Sequence, residues 1–134
     1  MHLKLARALI GIWLLLAGLP AAFAATGSWV ASVPGTMVAM SDRPGASQNA
    51  VPPSGNATGR AIERVQWRFS PPAGKAVEAW LCHPQGCLAL AQQRGTTRAF
   101  AGYRADVPLH FRFRLPSGQR PFRVTGLQVI VNYQ

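Results

Sequence analysis

Apolar and polar side chains alternate with a period of two along much of this chain, as they do in a β-strand with one buried face. The alternation is clearest at residues 109–115 and is strong again at 65–70. Turn-forming residues interrupt these runs at short intervals, as at 71–74 and 116–118. Few stretches show the repeat of an amphipathic helix. The pattern therefore predicts an all-β protein.

About seven to eight short strands are predicted, which is typical of a small antiparallel β-sandwich. Gly126 divides the last of them and predicts a bulge or kink there. The predicted strands are residues 28–32, 36–40, 65–70, 77–82, 87–90, 96–100, 109–115 and 122–133, the last in two parts, 122–125 and 127–133. Their inward positions predict a core of Trp67, Phe69, Leu81, Phe111, Phe113, Leu127, Val129 and Val131.

Residues 41–59 do not alternate in this way. They contain three prolines and three glycines, and Val51 is their one large aliphatic residue. A long segment of this kind in a small domain is either mobile or functional, and its composition does not decide between the two. Residues 92–95 are also predicted as a break between strands.

The first 24 residues predict an export signal that is cleaved after Ala24. A short basic head precedes an apolar run at 9–19, and Ala-Phe-Ala at the end is the small-residue pattern that a signal peptidase accepts. The alternative is an uncleaved membrane anchor, but the apolar run of about eleven residues is well short of the roughly twenty that span a bilayer. Residues 25–134 are then expected to form a single exported domain.

The two cysteines, Cys82 and Cys87, flank a predicted hairpin turn. In an oxidising compartment this even count and short spacing predict a disulfide that holds the hairpin. A redox-active pair is a weaker interpretation, because such cysteines usually have two residues between them at a helix start. A structural zinc site is also weaker, because it needs four ligands and would have to include His83 and His110. We therefore expect no metal.

The chain is strongly basic, with 14 lysine and arginine residues against 4 acidic ones. Removal of the signal leaves 12 basic residues and a net charge of +8. After export we do not expect nucleic acid as a partner, but an anionic lipid, an anionic polymer such as peptidoglycan, or an acidic protein surface. The candidate interaction face consists of outward arginines on two strands, which share one surface if those strands are neighbours: Arg64, Arg68, Arg112 and Arg114.

Two other interpretations of these arginines remain open. Outward strand positions have to be polar, and charge on them limits unwanted pairing of sheet edges, so the face can be an ordinary solvated one. It can also hold an anionic glycan or lipid, which is the alternative function that the sequence suggests. The sequence does not predict the oligomeric state.

Motifs of nucleophilic, phosphate-binding or metal-assisted catalysis do not occur in the sequence. Its four carboxylates are scattered without recognisable spacing, and His110 falls on the polar face of its predicted strand. We therefore expect no catalytic residues and no cofactor.

Several motifs occur in the order found in one known family: Gly27-Ser28-Trp29, the hairpin between Cys82 and Cys87, Gly95-Thr96-Thr97, Pro108-Leu109 leading into a strand that ends Leu115-Pro116-Ser117-Gly118, and Gln128-Val129-Ile130-Val131-Asn132-Tyr133. On these residues the chain resembles the flagellar protein FlhE family. The last motif is the most specific of them.

The resemblance implies a periplasmic β-sandwich without enzymatic activity that associates with the flagellar type III export apparatus. The role proposed for that family is to limit proton leakage through the export gate, as a plug or as a chaperone-like partner. The implied partner is an export-gate or basal-body protein. No catalytic residue is carried over from the family.

Overall fold

The structure is a computed structural model that describes residues 26–134, so the predicted export signal and its cleavage site lie outside the described residues. Within them the chain forms nine β-strands and one short 3-10 helix, η1 (Gly55–Ala57). No helix in this part of the chain is long and apolar enough to cross a membrane. The strands are β1 (Gly27–Val33), β2 (Thr36–Val38), β3 (Gly45–Ala46), β4 (Ile62–Ser70), β5 (Glu78–His83), β6 (Gly86–Leu90), β7 (Arg94–Thr97), β8 (His110–Arg114) and β9 (Phe122–Tyr133).

The strands form two antiparallel sheets that pack face to face. The larger sheet has the order β1-β9-β4-β7, and β2 pairs with β9 beyond the end of β1. The smaller sheet has the order β3-β8-β5-β6. The antiparallel β-sandwich predicted from the sequence is therefore confirmed. Its strands include the two-residue β3, which the alternation does not predict.

β9 is the longest strand, with 12 residues, and it pairs with β1 and β2 on one side and with β4 on the other. Its register with β4 shifts between Arg68 and Ser70, opposite Gly126. Gly126 has a φ of 64°, a conformation that glycine adopts without strain. The bulge or kink predicted at Gly126 is thus confirmed as a bulge within one continuous strand.

Phe69 joins the two sheets in the core. Its ring packs edge-on against Phe111 and Phe113 of β8, with centroid distances of 6.2 and 5.4 Å. All three side chains are buried, and the burial of each contributes about 1.5–3 kcal/mol. The other predicted core residues are buried as well, except Trp67, which is partly buried and packs against the core near the sheet edge.

The core extends further than the alternation predicts. Trp29 of β1 is 5% exposed, and its Nε1 donates a hydrogen bond to the carbonyl oxygen of Ala105 at 2.8 Å. Phe100, predicted to lie in a strand, lies in the turn after β7 and is also buried. The loop between β7 and β8 therefore closes one end of the sandwich.

Part of the segment 41–59 forms one edge of the smaller sheet. β3 pairs with β8, and Ala50 forms a bridge with Leu109. The backbone N–H of Ser47 donates to the carbonyl oxygen of Phe111 at 2.8 Å, and the Ser47 hydroxyl accepts from the Phe111 N–H at 3.0 Å. Main-chain hydrogen bonds thus hold this segment along β8, although its composition does not predict a strand.

β7 starts and ends earlier than the strand predicted at 96–100. Arg94 and Gly95 pair with β4, so the break predicted at 92–95 is wrong for these two residues. Glycine usually weakens a strand. Here Gly95 leaves room for the indole of Trp67, which lies across the strand.

Candidate functional site

The four arginines of the predicted interaction face lie on two different sheets. Arg64 and Arg68 are on β4 of the larger sheet, and Arg112 and Arg114 are on β8 of the smaller one. The sheets turn their buried faces toward each other, so outward side chains on them lie on opposite sides of the molecule. The single four-arginine surface does not form, because β4 and β8 are not neighbours.

On the smaller sheet both arginines have partners. Arg114 Nε donates a hydrogen bond to a carboxylate oxygen of Glu78, which raises the pKa of Arg114. The same guanidinium lies 5.4 Å from the centre of the Trp80 ring. Arg112 Nε donates to His110 Nε2 at 3.2 Å. Contacts within the molecule therefore compensate part of the positive charge on this face.

His110 is held in its neutral form on this face. A ring nitrogen that accepts a hydrogen bond carries no proton, so the bond from Arg112 requires an unprotonated Nε2. Burial lowers the pKa of His110, and the positive charge of Arg112 lowers it further. Protonation of His110 would break the hydrogen bond and place two cations side by side.

On the larger sheet, Arg68 has a second arginine as its direct neighbour. Arg94 of β7 is its cross-strand partner on one side, and Gln128 of β9 is its partner on the other. The next outward row along these strands consists of Thr96, Gln66 and Ile130. The arginine pair therefore lies at the β7 edge of a polar surface.

A shallow depression of about 300 Å³ lies among these residues. In the part of the chain that the structure describes, the guanidinium groups of Arg68 and Arg94 form no ion pair or hydrogen bond. Like charges directly opposite each other destabilise a strand pair, by roughly 0.2–1 kcal/mol. The pair therefore does not stabilise the fold. The lining residues are Gln66, Trp67, Arg68, Arg94, Gly95, Thr96, Gln128 and Ile130.

Trp67 and Gly95 support this depression from below. A Cβ atom on Gly95 would lie 2.6 Å from Cζ2 of Trp67, so only glycine leaves room for the indole. Trp67 Nε1 donates a hydrogen bond to the carbonyl oxygen of Gln92 at 3.1 Å. Packing and this hydrogen bond together fix β7 against β4.

Arg64 lines a second depression on the same face, of about 290 Å³. Glu63 lines it as well, beside a register shift in β4, so a carboxylate shares the depression with the guanidinium. Nδ2 of Asn132 is buried there without a hydrogen-bond partner in the described part of the chain. The second depression therefore carries less unbalanced positive charge than the first.

Cys82 and Cys87 form the predicted disulfide across the β5–β6 hairpin, with their Cα atoms 4.0 Å apart. The adjacent His83 is 4% exposed. Its Nε2 lies 3.0 Å from the carbonyl oxygen of Arg104, and its Nδ1 accepts from the N–H of Gln85 at 3.1 Å. Both ring nitrogens are thereby occupied by the backbone. Residues 26–134 contain no cluster of three or more His, Cys, Asp or Glu side chains that could hold a metal ion.

The family model for Flagellar protein FlhE matches residues 35–134, a range that contains every strand from β2 to β9. The chain belongs to this family. The flagellar protein FlhE of Escherichia coli is 39% identical over 75 residues, which cover 52% of this chain and 58% of that protein. The FlhE of Salmonella typhimurium is 40% identical over 77 residues, with the same coverage. The chain thus matches less than two thirds of the length of these relatives.

The crystal structure of FLHE has the same fold. It superposes with a TM-score of 0.72 at 29% identity, and the comparison covers 83% of this chain and 99% of that one. The FlhE sandwich therefore accounts for nearly all of the described residues.

Arg94 is the residue of the arginine pair that sequence reasoning missed. The sequence pattern assigns it to a turn at 92–95, where a side chain has no defined face. One sequence signal for a strand at Gly95 was present, because a glycine in a strand often has an aromatic residue as its cross-strand partner. Using that signal requires knowing that Trp67 lies opposite Gly95, which depends on the register between β4 and β7.

Proposed function

We propose that this protein is a periplasmic, non-enzymatic accessory protein of the flagellar type III export apparatus, which limits proton leakage through the export gate as a plug or a chaperone-like partner. The match to the FlhE family over residues 35–134 carries the proposal. Residues 35–134 include the disulfide hairpin and the arginines that line both depressions. We therefore assign the proposed activity to the β-sandwich domain.

The Cys82–Cys87 disulfide supports the proposed compartment. Disulfides persist in the bacterial periplasm and are rare in a reducing cytoplasm. The export signal predicted at residues 1–24 would deliver the chain to that side of the inner membrane.

Binding, rather than catalysis, is supported by the chemistry of the side chains. His83 has both ring nitrogens occupied by backbone groups, and His110 accepts a hydrogen bond from Arg112. The polar groups on the outer faces are mainly guanidiniums and amides, which recognise carboxylates and phosphates by hydrogen bonding.

Deletion of the gene in its own flagellated host tests this function. The cytoplasmic pH is followed with a pH-sensitive fluorescent protein while the external medium is acidified. We expect the deletion strain to acidify faster than the parent, and the intact gene to restore the parental rate. A gene that lacks codons 2–24 should not restore it, because its product stays in the cytoplasm.

The control is the same deletion in a background that lacks the flagellar export gate. There the deletion should have no effect on cytoplasmic pH, because the proposed leak passes through the gate. Unchanged pH, motility and filament number in flagellated cells would refute the proposed function. Co-purification of the protein with the gate would favour a plug, and co-purification with exported subunits would favour a chaperone-like partner.

A further inference from the structure

We propose that the β7 edge of the larger sheet binds an extended acidic segment of a partner protein, whose carboxylates are held by Arg94 and Arg68. This surface is defined by Arg68, Arg94, Gln66 and Gln128 around the first depression. The proposal is a property of this surface alone and does not depend on the proposed function.

The charge of this surface calls for an anionic partner. Arg68 and Arg94 are cross-strand partners, and no acidic side chain lines the depression between them. Their Cβ atoms are about 4.5–5.5 Å apart in such a pair, so both guanidiniums can reach one carboxylate. Guanidinium groups bind carboxylates through two parallel hydrogen bonds, and binding would also relieve the repulsion between the two cations.

An amide adds donors beside the arginines. Gln66 and Gln128 both line the depression. Gln128 Nε2 donates to the Ser32 hydroxyl of β1 at 3.4 Å, on the side away from the arginines, so Gln66 is the amide that can offer its N–H groups to a carboxylate there. A carboxylate between the arginines can therefore accept hydrogen bonds on more than one side.

An extended protein segment fits this site because β7 is the last strand of its sheet. β7 pairs with β4 on one side only among the described residues. A partner strand along its free side would align its own outward side chains with Arg94 and Thr96. Main-chain hydrogen bonds would then supply affinity, and acidic residues at alternate positions would supply specificity.

A second copy of the chain is a poor occupant of the same edge. Pairing β7 with β7 of another copy would bring two Arg94 residues and two Arg68 residues together without a counter-charge. Charged edge strands disfavour self-association in this way. A flat lipid surface is also a poorer fit, because it would contact the rim of the depression and none of the free backbone groups of β7.

Fluorescence anisotropy with labelled peptides tests the proposal. The probe is a peptide of about ten residues in which Glu alternates with Thr, and its matched control has Gln in place of Glu. We expect the purified protein to bind the Glu probe and to bind the Gln probe at least roughly tenfold more weakly. A Glu probe N-methylated at alternate residues should also lose binding, because it cannot pair with a strand edge.

Substitutions locate the site. Arg94→Gln and Arg68→Gln should each weaken binding of the Glu probe by roughly tenfold or more. Arg112→Gln removes the same charge from the opposite face of the molecule and should change binding by less than about twofold. In an NMR titration the indole N–H signal of Trp67 should shift on binding, and that of Trp80 should not.

Several outcomes would overturn the proposal. They are equal binding of the Glu and Gln probes, no binding of the Glu probe at low salt, and equal effects of Arg112→Gln and Arg94→Gln. Arg94-dependent binding to phosphatidylglycerol vesicles, without binding to the peptide, would instead assign the surface to lipid. An unchanged indole signal of the buried Trp29, which is next to none of the substituted residues, confirms that each free variant is folded, and a loss of binding is then caused by the loss of the site.

Discussion

The indole of Trp67 lies across Gly95, its cross-strand partner, where a Cβ atom would come within 2.6 Å of the ring. Trp67 packs against the core on its other side. Neighbouring residues in a strand point to opposite faces, so this contact on the inner face sets the position of Arg94 on the outer one. The contact thus links the core to the arginine pair.

Gly95→Ala should destabilise the protein by about 1–3 kcal/mol, because the added methyl group overpacks a site already filled by the indole. Urea denaturation measures this as a lower free energy of unfolding. Gly86→Ala is the matched control, since a Cβ atom there would meet nothing within 4 Å, and it should change stability by less than about 0.5 kcal/mol. Equal effects of the two substitutions would mean that the indole moves aside without cost.

Arg94→Gln should stabilise the folded protein at low ionic strength, by roughly 0.2–1 kcal/mol, because it removes the like charge opposite Arg68. The gain should disappear in about 1 M salt, where charges are screened over about 3 Å. Denaturant unfolding at both salt concentrations checks this. Arg120→Gln, in the exposed loop before β9, should have no effect, and a loss of stability in Arg94→Gln would show that Arg94 makes a stabilising contact.

His110 should make stability depend on pH. Its pKa in the folded protein is lowered by burial and by Arg112, whereas in the unfolded chain it is about 6.5. The contribution of neutral His110 is therefore fully present above about pH 6.5 and is lost as the pH falls toward the lower pKa of the folded state. The unfolding free energy of His110→Gln should fall less than that of the parent between about pH 7 and pH 5.

The variant Arg112→Gln distinguishes the effect of burial from the effect of the Arg112 charge on the lowered pKa of His110. The substitution should raise the pKa of His110 only in part, because burial is the larger cause and remains. A titration of the His110 ring protons by NMR measures the change. Arg120→Gln should leave the titration unaltered, and an unaltered titration in Arg112→Gln would contradict the role given to Arg112.

Removal of the disulfide should cost about 2 kcal/mol, because the loop that it closes is short and little chain entropy is involved. The double substitution of Cys82 and Cys87 by Ala tests this by denaturant unfolding. Addition of a reducing agent should destabilise the parent by a similar amount and leave the double variant unchanged. Complete unfolding of the double variant would show that the hairpin supports the whole sandwich.

Much of the fold follows from local patterns. Alternation predicts the inward direction of Phe111 and Phe113, which are buried in the structure. The spacing of Cys82 and Cys87 predicts the hairpin disulfide that the structure contains. These predictions succeed because side-chain direction within a strand and the reach of a short hairpin depend on residues close together in the chain.

The failures share a physical cause. The pairing of Gly45–Ala46, within the segment 41–59, with β8 and the strand pairing of Arg94 and Gly95 both rest on hydrogen bonds to distant parts of the chain. Composition predicts a loop at residues 41–59 and a break between strands at residues 92–95. Contacts over long sequence separations override these local preferences.

The sequence by itself determined that this is an all-β chain with a hairpin disulfide and outward-facing arginines on two of its strands. Only the tertiary structure decided which arginines share a surface. The order of strands in a sheet depends on long-range pairing and on which sheet each strand joins. The local alternation of apolar and polar residues predicts neither. For that reason Arg68 lies beside Arg94, which the sequence pattern places in a turn, and on the opposite side of the molecule from Arg112.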